Sequence, residues 1–311
     1  MSPVKRKRAN RNAAVACWGI FREVEHSPGR QEDDAAILEA AGRRLEEIGP
    51  EFSVDYRLPT SVTGREADLP ALAFSMCEGR AALEALRRWE SRGVRVVNSP
   101  GSISNTHRER MMPLLDEARV PVPEGRLLDC GGPLPRGASH DALFSACWIK
   151  QATEHKTREG DVVFAADRSA VRDALARLGE RGQPRAVVQR HVEGDHVKFY
   201  GVSPDAWGSE RDAAPAPAWF EWFHPRERPV AGHGFEPRAL CDIASRAARV
   251  LGLDVWGGDA IVTPAGEIYV IDVNAWPSFA LYREVAADRI ASHLAARLRR
   301  VAPVAVMTAG R

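Results

Sequence analysis

No stretch of this chain is apolar for the roughly 20 consecutive residues that a membrane-spanning helix needs. The longest apolar runs, such as 14–20, are far shorter. Cysteine is scarce and unpaired in pattern: five residues, at 17, 77, 130, 147 and 241, with no CxxC. An odd, scattered set argues against a disulfide scaffold and against a structural zinc site. It fits reduced thiols in a cytoplasmic protein. An excess of either charge is also missing. Lys plus Arg is 43 against 42 for Asp plus Glu, a net charge of +1. That leaves no global field for nucleic acid or for a basic partner. The nine histidines show no HExxH spacing, and there is no internal repeat. Lys5, Arg6, Lys7, Arg8 and Arg11 make the N-terminus basic, but no long apolar core follows. Residues 1–12 therefore read as a solvated tail, not a signal peptide.

What is present is a globular composition. Hydrophobic residues make up 44%, enough for a sizeable core, over a length that suits one large domain or two to three modules. The first hundred residues alternate strand and helix patterns. Residues 14–21 read as a buried strand and 31–48 as an amphipathic helix stopped by Gly49-Pro50. Strands at 71–76 and 94–97 flank a helix at 80–92. This alternation predicts a parallel α/β sheet. Residues 98–105 read as a polar linker, which sets the first boundary. A helix is expected at 108–119 and a strand, 146–150, ending in a lysine. A further strand at 161–165 leads to a helix capped by Ser169. Strands follow at 186–192, 197–202 and 219–223, and helices at 238–251 and 284–300. The expected organisation is a tail (1–12), an N-terminal α/β domain (13–104), two α+β subdomains (105–185 and 186–300) and a second tail (301–311).

The closing hairpin, 259–263 and 268–274, carries the strongest chemical signal. Asp272 and Asn274 are two apart and share one face of a strand. Asp259 lies across the hairpin from them. Three converging oxygen side chains suit Mg²⁺ shared with phosphate.

The stretch LGLDVWGGDAIVTPAGEIYVIDVNAWPSF resembles the C-terminal signature of the ATP-grasp superfamily. Upstream, VVQRHVEGDHVKFYGV resembles the hinge that meets adenine, WIK the strand that offers a lysine to phosphates, and NTHRERMMPLLDEARVPVP the start of the central domain. The resemblance covers about residues 100–295. It implies an α/β (α+β) protein in which an N-terminal parallel domain precedes two α+β subdomains that clasp ATP.

It also implies roles. Asp259, Asp272 and Asn274 would hold one or two Mg²⁺. Lys150, Arg108 and Lys198 would meet phosphates. Gln189, Arg190 and Val192 would line the adenine edge, and Asp195 would take ribose hydroxyls. Arg283, just after the magnesium strand, would hold a substrate carboxylate or the developing acyl phosphate, and with Lys150 it makes up the expected catalytic pair. The crevice at the carboxyl ends of the parallel strands makes Arg22, Ser27 and Arg30 substrate-side candidates. The sequence departs from the family pattern in having Asp272 where many members have Glu. Its 153–160 segment, the expected lid, holds one glycine and several charges, so His155, Lys156, Thr157 or Arg158 would contact phosphate there. The reaction expected is carboxylate–amine (or –thiol) ligation through an acyl phosphate, releasing ADP and phosphate. The alternatives are phosphorylation of a polyol or inositol phosphate, and ATP binding without turnover. Small carboxylates and amines are the expected partners, with no membrane or nucleic acid, and with a homodimer possible.

Overall fold

The computed structural model describes residues 14–153, 159–205, 216–226 and 228–299. The two tails, the 154–158 part of the expected lid, with His155 to Arg158, and most of the loop before residue 216 lie outside them. The described residues form three four-stranded sheets.

The first sheet is parallel, in the order β2-β1-β3-β4, from β1 (Val15–Ile20), β2 (Phe52–Arg57), β3 (Leu72–Ser75) and β4 (Arg95–Val97). Helix α1 (Gln31–Ile48) buries Ile37, Leu38, Ala41 and Leu45 at helical spacing, and its first turn carries Glu32, Asp33 and Asp34 at the positive end of its dipole. Helix α2 (Arg80–Glu90) follows β3. Strand β2 has no counterpart among the sequence-based expectations. It is an edge strand, and of FSVDYR only Phe52 is buried, so no apolar run marks it.

The expected linker is a helix instead. In α3 (Pro100–Asn105) Ser99 caps the N-terminus by accepting the Ser102 N–H, and Pro100 occupies the first turn. Its polarity is not solvation. Buried Asn98, just before it, donates to the Val255 carbonyl at 2.7 Å and accepts from the N–H groups of Asp254 and Val255. An interior joint between two parts of the chain needs such paired polar groups.

The second sheet is antiparallel, in the order β5-β8-β6-β7: β5 (Gly125–Asp129), β6 (Cys147–Gln151), β7 (Val162–Ala165) and β8 (Arg185–Arg190). Helix α4 (Arg108–Glu117) precedes it, and α5 (Ala138–Leu143) and α6 (Arg168–Glu180) lie within its span. The cap of α6 is Asp167, which accepts the Ala170 N–H, and not Ser169. The third sheet is antiparallel, β10-β9-β11-β12, from β9 (Asp195–Val202), β10 (Trp219–Phe223), β11 (Val255–Val262) and β12 (Ile268–Ala275). Helix α7 (Pro237–Leu251) ends at Gly252, whose φ of 76° supplies the left-handed cap, and α8 (Arg283–Arg299) is the last element among the described residues.

The packing divides these sheets unequally. Ile20, Ala73 and Trp89 of the parallel unit share one core with Phe199, Trp256 and Val270 of the third sheet. The second sheet has its own core, around Phe144, Ile149, Leu175 and Val188. One body is thus the parallel unit plus the third sheet, and the second sheet faces it. Among the described residues no helix is long and apolar enough to cross a membrane.

One irregularity sets the chemistry. Asp259 pairs with Asp272 across β11 and β12, but the next residue, Ala260, pairs with Val270. Ile271 is therefore an extra residue, a bulge. The buried positions change phase there, from Ile268 and Val270 before it to Val273 and Ala275 after it. Asp272 and Asn274 are thereby turned away from the core.

Candidate functional site

Two connected compartments lie between the second sheet and the main body. A slot of about 170 Å³ is walled by Trp148, Lys150 and Gln189 on one side and by Ile261, Ile271 and Asp272 on the other. A wider cleft of about 580 Å³ continues from it to Ser27, Arg30, Tyr200 and Ser278. Arg108, Trp148, Val162, Arg228, Asp259 and Asp272 border both.

Lys150, on β6, is 7% exposed, and its ammonium donates to Gln189 Oε1 at 2.7 Å and to the bulged Ile271 carbonyl at 2.9 Å. An ammonium has three donors, so the third remains for a ligand. Burial lowers its pKa to about 8. The Asp272 carboxylate opposes that shift and Arg108 adds to it. Arg108 Nη2 donates to Asp272 Oδ2 at 2.6 Å, and Nη1 to the Gln151 carbonyl at 3.2 Å.

Asp259 Oδ1 accepts from His196 Nε2 at 2.7 Å and from Lys198 Nζ at 2.6 Å. Burial alone would raise the pKa of this carboxyl. The His196 hydrogen bond and the Lys198 charge outweigh it and hold the pKa at about 2. Among the described residues no cluster of three His, Cys, Asp or Glu side chains forms a metal site. The oxygen donors here are two carboxylates and the Asn274 amide, all on the cleft wall. Such a set is hard, anionic and incomplete. It fits Mg²⁺, which keeps open positions for phosphate oxygens.

The structure therefore brings together Arg108, Lys150, Gln189, Arg190 and Val192 at the slot. It places Lys198, Asp259, Asp272, Asn274, Arg22, Ser27 and Arg30 on the cleft. Two expected residues stand elsewhere. Arg283 does not line either compartment; its guanidinium pairs with Asp33 of α1 at 2.7 Å. The Asp195 carboxylate is met by three backbone N–H groups, of Ala231, Gly232 and His233. Asp195 lines neither compartment, and those three bonds turn its carboxylate toward the 231–233 backbone.

The substrate-side residues also divide. Arg22 is engaged by Glu78 and Asp34 and donates to the Trp276 carbonyl at 2.5 Å. Ser27 donates to Asp34 at 2.6 Å. Arg30 is half exposed, with Ser278 Oγ at 2.7 Å. Residues absent from the sequence-based set are Arg228, Trp148 and His196. Trp148 stands two before Lys150 on one strand, so the period of two would have placed it on the same face. The indole N–H donates to His191 Nδ1 at 3.1 Å. Nothing local marks Arg228, which reaches the cleft from a loop.

Searches of protein-family models and of curated protein sequences return no match. Solved structures do match. A D-alanine–D-alanine ligase from Bacillus anthracis has a TM-score of 0.66 at 11% identity, covering 93% of this chain and 98% of that one. A RimK domain ATP-grasp protein from Sphaerobacter thermophilus has a TM-score of 0.62 at 18% identity, covering 90% and 99%. The ATP-grasp ligase PsnB, complexed with a minimal precursor, has a TM-score of 0.57 at 17% identity, covering 92% and 99%. The alignments cover nearly the whole of each neighbour, and the chain has the ATP-grasp fold.

Proposed function

We propose that this chain is a Mg²⁺- and ATP-dependent ligase that joins a small carboxylate to an amine. The observation that carries the reading is the slot-and-cleft itself. Lys150 and Arg108 gather with Asp259, Asp272 and Asn274 along the slot and the cleft, and the cleft continues beyond them into room for a second reactant. The fold neighbours that are named ligases support the same reaction class.

The slot takes the base between Trp148 and the Ile261 and Ile271 side chains. The third Lys150 N–H reaches a phosphate oxygen. Asp259, Asp272 and Asn274 would hold Mg²⁺, which supplies charge neutralisation on the phosphates. In the cleft a carboxylate oxygen attacks the γ-phosphorus, the bond to the β–γ bridging oxygen breaks, and ADP leaves. The amine then attacks the acyl carbon, the carbon–oxygen bond to phosphate breaks, and the amine's surplus proton leaves with the phosphate. The residues' work is orientation and charge stabilisation. Arg30 and Ser278, at the far end of the cleft, position the carboxylate reactant.

The test is ATP turnover by the purified protein with Mg²⁺ and pools of carboxylates and amines, using Asp272→Asn as the blank. ADP and free phosphate formed in equal amounts, only with both pools present, is the expected result. ADP without free phosphate, together with a phosphorylated hydroxyl compound, would replace the ligase with a kinase.

A further inference from the structure

The chain leaving β10 runs back beside the start of β9. His224 Nδ1 lies 3.0 Å from the His196 carbonyl. Farther on, the N–H groups of Ala231, Gly232 and His233 donate to the Asp195 carboxylate at 2.6, 2.8 and 2.7 Å. Asp195 is 3% exposed. Three successive N–H groups turned onto one anion form a nest, a local geometry that needs a left-handed residue. Gly232 supplies it with φ +80°, and a Cβ added there would meet no atom within 4 Å. Burial would raise the Asp195 pKa, but the three N–H groups lower it, so the clamp stays ionised and closed at neutral pH.

This clamped turn is the far anchor of a strap that begins at Arg228. Arg228 borders both compartments, at the junction where the slot opens into the cleft. The other cations on the cleft wall are engaged: Arg22 with Glu78, Arg108 with Asp272, Lys198 with Asp259 and Arg30 with Ser278. Among the described residues the Arg228 side chain has no hydrogen bond or ion pair. A nucleotide with its base in the slot and its reacting end in the cleft must pass its phosphates through that junction.

Resting on the ATP reading above, we propose that Asp195 is a positioning residue. It holds the 231–233 turn so that Arg228 faces the phosphate groups of the nucleotide, and it takes no part in binding ribose. Arg228 is the phosphate contact through which Asp195 acts.

The experiment measures ATP binding, in Mg²⁺, to the full chain by calorimetry. The variants are Arg228→Ala, Asp195→Asn, Gly232→Val and the double variant Asp195→Asn/Arg228→Ala. Loss of one charge-assisted phosphate contact weakens binding roughly 10–100-fold. Arg228→Ala should show this loss. Asp195→Asn and Gly232→Val should weaken binding in the same direction, and the double variant should bind no more weakly than Arg228→Ala alone. The Asp195→Asn loss should be equal for ATP, 2′-deoxy-ATP and 3′-deoxy-ATP. Gly232→Val keeps the Asp195 carboxylate and strains only the backbone of the turn, so it tests the strap with the carboxylate in place. An Asp195→Asn loss that persists in the Arg228→Ala background, or that vanishes with a deoxy analogue, would overturn the proposal in favour of a ribose contact. A wild-type protein that binds no ATP would overturn the ATP reading, and this inference with it.

Discussion

Arg108 and Asp272 stand 164 residues apart in sequence and meet at 2.6 Å in the wall shared by the slot and the cleft. One is expected to meet phosphate and the other metal. Their contact means that the wall carries its own charge compensation, with side chains 4% and 17% exposed. Removing one partner of a buried pair costs about 3–5 kcal/mol, and less where the survivor can reach water. Arg108→Met should therefore lower stability by about 1–3 kcal/mol in urea unfolding. Adding Mg²⁺ should recover more of the variant's midpoint than of the wild type's, because the cation can take the place of the guanidinium beside Asp272. Equal Mg²⁺ effects in both proteins would argue against Asp272 as a metal ligand.

Lys150 gives a pH prediction. Its pKa is lowered from 10.5 to about 8 by burial. The unfolded chain then binds more protons than the native one between about pH 8 and pH 10.5, so stability rises with pH across that window. The slope from this group is at most ~1.4 kcal/mol per pH unit. Lys150→Met should remove that part of the slope. ATP binding should run the opposite way, weakening above pH 8 in the wild type as the ammonium is lost, and staying flat in Lys150→Met. Calorimetry between pH 7 and 9.5 reads both trends.

Asp259 shows the reverse sign. Its carboxyl is held at about 2 despite burial, by His196 and Lys198. An unfolded aspartate titrates near 3.9. The stabilisation is present above about pH 4 and is lost as pH falls through 2, with a size on the order of 2 kcal/mol. The stability gap between wild type and Asp259→Asn should close over that interval in denaturation curves. A gap that is constant from pH 5 to pH 2 would show that the ion pairs do not depress this carboxyl.

The sequence was legible where a single strand's period settled a position. Asp272 and Asn274 follow from their spacing of two on one strand, Lys150 and Gln189 only from the resemblance of their segments to a known family, and all four line the slot or the cleft. It was illegible where position depends on another part of the chain. The bulge at Ile271 changes the phase of β12 halfway along, yet IYVIDVN carries no glycine or proline to announce it. Asp195 reads as a hinge acid for ribose hydroxyls until the 231–233 turn is folded onto it. Arg283 sits just past the hairpin in sequence, but α1 brings Asp33 to it from 250 residues away. Strand β2 and helix α3 were hidden for opposite reasons. The first is too exposed to be apolar, and the second is polar because it forms a buried joint.

Arg22 separates an architectural role from a substrate-binding one. It is an expected substrate residue that does border the cleft, but its side chain is 9% exposed and it lies between Asp34 and Glu78, themselves 10% and 8% exposed. It also donates to the carbonyl of Trp276, so it ties the first loop of the parallel sheet to the segment that follows Asn274. That segment contains two non-glycine residues at positive φ, Trp276 at 43° and Phe279 at 50°, a conformation that persists only when the surroundings enforce it. Arg22→Met would leave two buried carboxylates facing each other and would release the loop. The expected loss is about 3–5 kcal/mol of stability, with part restored in Arg22→Met/Glu78→Gln because one of the two charges is then gone. A substrate contact predicts the opposite pattern: unchanged unfolding, a raised KM for the carboxylate, and no rescue by the second substitution. Urea unfolding of the single and double variants decides between them without knowledge of the substrate. A stable Arg22→Met protein would return Arg22 to the reactants' side of the cleft.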